Sequence, residues 1–217
     1  MQHSSLRLSC SLILCVCALL VVPLAVASKS FVKPEAKSAD RYPAHDSHSD
    51  EKVAIAADPY DRPEKAKIFS VDFAAHGFLP VFFIVTNNGD KPISLANMQI
   101  EVITGNRAKL TPIGAEDLYR RLSNPQAHTG PSTIPIPLPH KKPISEKAVE
   151  EIESSRFAAR AVEPHTTQSG FLFFDVGGIS SPLRGSSIEI TGVADARGNE
   201  LLYFELSLDK YLNAPTP

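Results

Sequence analysis

The chain has 217 residues, of which 43% are hydrophobic and 21% charged, with a net charge of −2. That length predicts one or two domains of ordinary globular composition. The near-neutral charge, with no basic stripe, gives nucleic-acid binding no electrostatic support. Eighteen prolines are too many for a helical bundle and suit linkers, turns and strand edges.

Taken in order, residues 1–27 read as a secretory signal. Arg7 supplies the positive start, residues 8–24 the apolar stretch, and Ala25, Val26 and Ala27 the small-x-small exit. Retention as a membrane anchor is the rival reading, because the apolar run nearly reaches spanning length. Cys10, Cys15 and Cys17 all lie inside this segment, so the mature chain is expected to enter an oxidising compartment without disulfides. Taking Arg7 from the 22 basic residues leaves 21 against 24 acidic ones.

Residues 28–64 read as a disordered linker, too polar to offset its ordering entropy. Within it, residues 53–57 (VAIAA) are either a short docked strand or a hydrophobic spot in a tether. Asp58 to Pro63 (DPYDRP) is turn-like, since each proline pushes its predecessor toward extended backbone.

A folded domain is expected over residues 65–208. Residues 67–73 alternate, with Phe69, Val71 and Phe73 on one face, and predict a half-buried strand broken at His76-Gly77. Residues 79–86 are dense in β-branched and aromatic side chains and predict a central strand. Asn87, Asn88, Gly89 and Asp90 then predict a tight reversal. Residues 95–104 alternate again around Met98, Ile100 and Val102.

The texture then changes over an insertion, residues 112–166. Residues 115–122 predict a helix with acids early and arginines late, an order that suits the helix dipole. Residues 124–143 are a proline-rich connector, suited to a polyproline II backbone or to a partner's aromatic groove. Residues 145–160 predict a second helix, N-capped by Ser145, with Ala148, Val149, Ile152 and Ala159 on one face and Phe157 off it. Strands follow at 171–176, 187–193 and 200–208. The last is expected to point Leu202, Phe204, Leu206 and Leu208 inward after a turn at 195–199. The tail, residues 209–217, is expected to fray.

Three strands, a helical and proline-rich insertion and three more strands imply a mainly β fold. The architecture expected is an antiparallel immunoglobulin-like β-sandwich. The two runs apolar on both faces, 79–86 and 171–176, predict neighbouring central strands whose outer face is covered by the helix from Ser145. Val149 and Ile152 would anchor that cover over Phe82 and Phe174. Were the cover incomplete, these four would mark an interaction surface.

Motifs of chemistry are sparse. His45 and His48, beside Asp46 and Asp50, are the one histidine spacing that could reach a metal, and a solvated linker is the simpler account, so no metal ligand is assigned. His76 and His165 sit in turns. No G-x-S-x-G or Cys-His signature appears, and Gly177-Gly178 lacks what a phosphate loop requires. No catalytic or cofactor-binding residue is assigned.

The stretches LPVFFIVTNNGDKPISL, HTTQSGFLFFDV and ELLYFELSL together resemble a secreted bacterial immunoglobulin-like β-sandwich domain family of unknown function. Its members carry an Asn-rich turn after an early strand and Thr-x-x-Gly before a later aromatic run, here Thr167 to Phe171. The resemblance spans residues 65–208, poorly over the insertion. It implies an extracytoplasmic, non-enzymatic domain and assigns no ligand. The signal, the linker, the β-sandwich pattern and the missing catalytic motifs lead to a protein-interaction or structural module of the cell envelope, periplasmic or extracellular, with an envelope protein as partner, no cofactor and no membrane contact beyond the signal segment. The alternative is a periplasmic metal- or small-molecule-binding protein.

Overall fold

The structure is a computed structural model and describes residues 31–123 and 144–215, within the unit Phe31–Pro217. The expected signal segment and the proline-rich connector lie outside the described residues. In chain order the strands are β1 (Ala44–His48), β2 (Val53–Pro59), β3 (Phe78–Asn87), β4 (Ile93–Ser94), β5 (Gln99–Ile103), β6 (Lys109–Leu110), β7 (Ala161–Val162), β8 (Thr166–Asp175), β9 (Ser187–Thr191) and β10 (Phe204–Ser207). The helices are α1 (Pro63–Ala66), α2 (Ala115–Ser123), α3 (Glu146–Ser155) and α4 (Leu208–Leu212).

Two antiparallel sheets dominate, in orders β1-β2-β3-β8 and β10-β9-β5-β6, with β4 and β7 forming a separate pair. The protein is mainly β and sandwich-like. One core lies between the sheets. Val53, Ile55, Leu79, Val81, Phe83, Val85 and Phe174 of the first meet Ile100, Val102, Ile188, Ile190, Phe204 and Leu206 of the second. The alternate residues of the first sheet, among them Ala54, Ala56, Phe78, Phe82, Ile84, Phe171 and Phe173, build a second core on its outer face. Leu118 and Leu122 of α2 and Ile152 of α3 close that face, together with Phe69 and Phe73. Period-two alternation thus divides each two-faced strand between two cores.

The predicted neighbours are neighbours. β3 and β8 pair antiparallel, with Phe82 opposite Phe171 and Leu79 opposite Phe174. The helical cover is present, with three differences. β8 ends the sheet order, yet its outer edge is engaged by irregular chain: Phe157 N–H donates to Phe171 O at 3.0 Å, and Ile113 N–H to Phe173 O at 2.8 Å. Phe174 faces the inter-sheet core, because it lies an odd number of residues from Phe171. Val149 is only half-buried, and Ala148 and Ile152 hold the helix instead.

α3 begins as expected, with Ser145 Oγ accepting from Ala148 N–H at 3.2 Å, but stops at Ser155. The chain then crosses β8, and Phe157 meets Phe83 edge-on at 5.1 Å between centroids. Gly170 permits this crossing: a Cβ there would lie 2.5 Å from the Phe157 backbone. This gives a steric reason for the glycine in the Thr-x-x-Gly feature.

Four expectations are corrected. Most of the described part of 28–64 is not a linker: β1 and β2 form a hairpin whose second strand pairs with β3 along its length. The small, closely spaced apolar side chains of VAIAA fit between two crowded layers, so the docked-strand alternative holds. Residues 67–73 are turns rather than a strand, and Phe69 and Phe73 instead drop into the outer core from a looped segment. Their segment is tied by Glu151, a buried carboxylate of α3 that accepts from both Ser70 N–H (2.8 Å) and Ser70 Oγ–H (2.7 Å). The final strand starts only at Phe204, leaving Leu202 71% exposed. Beyond it the expected fraying tail begins as α4, whose Tyr211 is buried.

The reversal after β3 is a different device from a hairpin. Buried Asn87 accepts Gly89 N–H at 2.9 Å and donates to Lys91 O (2.8 Å) and Val162 O (3.0 Å). It therefore stitches the loop to β7 rather than turning the chain back along β3. At the opposite seam, Asp46 Oδ2 accepts Glu205 N–H (3.0 Å) and Glu51 Oε1 accepts Leu202 N–H (3.1 Å). These carboxylates occupy edge donors that would otherwise invite another strand.

Candidate functional site

The hairpin found in place of the linker positions a chemically varied cleft. A 3₁₀ turn, Ala39–Arg41, delivers Tyr42. The end of β2 delivers Asp58 and Tyr60, the latter fixed by its N–H donating to Pro80 O at 2.9 Å. Pro63 at the first helical position starts α1, which carries Lys65. α4 brings in Tyr211 from the far end of the chain. The cleft encloses about 420 Å³, with Phe82 contributing to its lining.

Lys65 is its hub. The ammonium donates to Asp58 Oδ1 at 2.5 Å and to Pro59 O at 2.8 Å. It also lies 4.9 Å from the Tyr60 ring centroid and 4.8 Å from that of Tyr211. An ammonium between two ring faces is attracted by their quadrupoles, the more so when partly desolvated. Arg62 lies over the same Tyr211 ring at 5.2 Å. Tyr211 O–H donates to Asp61 Oδ1 at 2.6 Å, tying α4 to the β2–α1 turn.

Burial decides the protonation of these groups. It holds the Asp58 carboxyl above its ordinary value, against the opposing pull of Lys65. Burial also pushes Tyr42, Tyr60 and Tyr211 upward, so their hydroxyls stay neutral and keep their protons. Among the described residues the lining holds no serine, cysteine or histidine, and what it offers is ring faces, hydroxyls and charges.

Other candidates disperse. His45 and His48 stand three residues apart on β1 and so face opposite sides. His45 Nδ1 contacts Tyr42 O at 2.5 Å, whereas His48 stacks on Phe204 at 4.0 Å and meets Glu51 Oε2 at 2.8 Å. The two cannot share an ion, and among the described residues no group of three or more His, Cys, Asp or Glu is placed to hold one. Phe82, Phe174 and Ile152 are buried in the cores and Val149 half-buried, so these four form no interaction surface, and Phe82 lines the tyrosine cleft. His165 is exposed, its Nε2 3.1 Å from Asp90 Oδ1. Asp195 accepts Arg197 N–H (2.8 Å) and Asn199 N–H (2.9 Å), its Oδ1 serving its own turn. A second cleft of about 380 Å³ lies among end loops between Lys52, Asp90 and Arg197.

Sequence reasoning missed the tyrosine cleft. DPYDRP was legible as a turn, but its meeting with Tyr211, some 150 residues on, carries no local signal. Among the described residues no helix is long and apolar enough to cross a membrane. Comparison with family models, curated proteins and solved structures gives no match.

Proposed function

We propose that this protein is an exported, non-catalytic binding module of the cell envelope, built on an immunoglobulin-like sandwich, with the tyrosine cleft as its recognition site. The observation that supports this is the cleft itself. Three of the chain's five tyrosines converge there, two of them held by Lys65 and Asp61, in a volume suited to a small ligand or one anchoring side chain. Rigid aromatic walls with a few fixed polar groups bind without needing an activated nucleophile.

The chain has no tryptophan, so intrinsic tyrosine fluorescence reports largely on this cleft. Titration of the protein with a chemically diverse set of small molecules is expected to give a saturable change for at least one compound class. Tyr60→Ala is expected to abolish it. A set that leaves emission and calorimetric heat unchanged would remove the small-ligand form of this reading.

A protein-partner form has its own support. Leu202 and Tyr203 are adjacent, large and exposed, at 71% and 59%, where β10 approaches β1. Replacing both with serine is expected to lower capture of an envelope protein by cross-linking if that surface is used. Unchanged capture would discard it.

A further inference from the structure

We infer that the tyrosine cleft takes a small organic anion, a carboxylate carried on a flat ring. This rests on the reading of the cleft as a binding site and adds the chemistry of what enters it.

Charge is the first argument. Among the described residues four cations line the cleft, Lys37, Arg41, Arg62 and Lys65, against two carboxylates, Glu35 and Asp58. The whole chain carries −2, so this excess is local. Lys65 is spent on Asp58 and Pro59 O, and Arg62 lies on Tyr211. Among the described residues no carboxylate reaches ion-pairing distance of Lys37 or Arg41. Glu35, Lys37 and Arg41 are all exposed to solvent.

The hydroxyls add a second argument. Tyr42 Oη accepts the Lys37 backbone N–H at 3.2 Å, which leaves its proton to donate elsewhere. Tyr60 O–H makes no hydrogen bond to a described residue while lining the same space. Both hydroxyls are kept protonated by their surroundings. The unspent groups are therefore mainly donors: two phenols, a guanidinium and an ammonium. A carboxylate is the complementary acceptor, and a guanidinium can take it with two parallel bonds.

Shape supplies the third. The lining includes the rings of Tyr42, Tyr60, Phe82 and Tyr211, which favour a flat ring over a branched aliphatic body. The Tyr60–Tyr211 gap already holds the Lys65 ammonium. A ligand cation would have to displace it, whereas an anion would not.

The test uses benzoate and its neutral counterpart benzamide, titrated into the full chain with tyrosine emission and calorimetric heat as readouts. Benzoate is expected to bind about tenfold to a hundredfold more tightly than benzamide. The double variant Arg41→Gln, Lys37→Gln is expected to erase that difference while leaving the thermal midpoint unchanged. Tyr60→Phe, which keeps the ring, is expected to weaken benzoate alone. Equal binding of the two probes, or a preference surviving the double variant, overturns the anion assignment and leaves the cleft reading standing. If neither probe binds but another neutral ring compound does, the anion assignment again falls alone. If no compound binds, both readings fall together.

Discussion

The two sheets share a strand period but not an environment. Every residue of β3 is buried, because the inter-sheet core takes one face and the helical layer the other. The second sheet buries Ile100, Val102, Ile188 and Ile190 inward and leaves its other face to water. On that face Glu101 lies opposite Glu189, and Glu189 opposite Glu205, with Lys109 bridging to Glu101 at 2.8 Å. Like charges directly opposite are destabilising, and they are tolerated where solvent screens them. The contrast shows that alternation specifies a strand while the covering layer decides what its outward positions must be. An outward phenylalanine on β8 and an outward glutamate on β9 obey the same geometry.

The sharpest way to break this contrast is to empty an outward position on the covered sheet. Phe171→Ala removes a ring packed against Phe82 at 5.0 Å, Phe69 at 4.9 Å and Tyr60 at 4.8 Å. We expect a loss of about 3–5 kcal/mol in denaturant unfolding. A loss below about 1 kcal/mol would mean that the helical layer is not packed as described.

Gly170→Ala probes the crossing that seals the edge of β8. The new methyl would meet the backbone of residues 156 and 157 at 2.5–2.6 Å, and backbone cannot swing aside as a side chain can. The expected loss is about 1–3 kcal/mol or more, with faster amide exchange at Phe157 than in the parent. Unchanged protection there would show that the crossing does not depend on glycine.

Asp58 carries the comparison into pH. Burial raises its folded-state pKa above the unfolded value near 3.8, so protonation is favoured more in the folded than in the unfolded chain. Its contribution to stability is fully present below that unfolded value and is lost as pH rises through the raised folded one. Asp58→Asn should therefore gain on the parent as pH rises through this window, the pull of Lys65 being already counted in the net shift. Unfolding curves of both proteins measured across the window check this. A difference that stays flat, or that moves against the variant, would contradict the sign.

The smallest effect belongs to the wet face. Glu189→Gln relieves repulsion from both neighbours and should stabilise by about 0.2–1 kcal/mol, the more so at low salt. A clear loss would mean that the face is covered by something with which Glu189 pairs.

Much of the covered sheet was legible because its signals are local and dense. Residues 79–86 and 171–176 declared two-faced strands, and α2 and the Ser145 cap followed from periodicity and capping chemistry. β1 was not legible, since its AHDSH has almost no apolar content, and it is a strand because β2 offers a backbone edge. Residues 67–73 show the converse, with clean alternation but turns and bends in place of a ladder. The cleft was least legible, assembled from a turn, a single-turn helix and a terminal helix that share no pattern.

By itself, then, the order of amino acids determined which segments become strands or helices and which strand faces are apolar, because backbone sterics and side-chain periodicity act over a few residues. Only the tertiary structure decided that the supposed linker is an integral hairpin, that the paired histidines look away from each other, and that Tyr60 and the distant Tyr211 enclose one lysine. Those outcomes depend on which edges and faces remain unsatisfied once the large elements have packed.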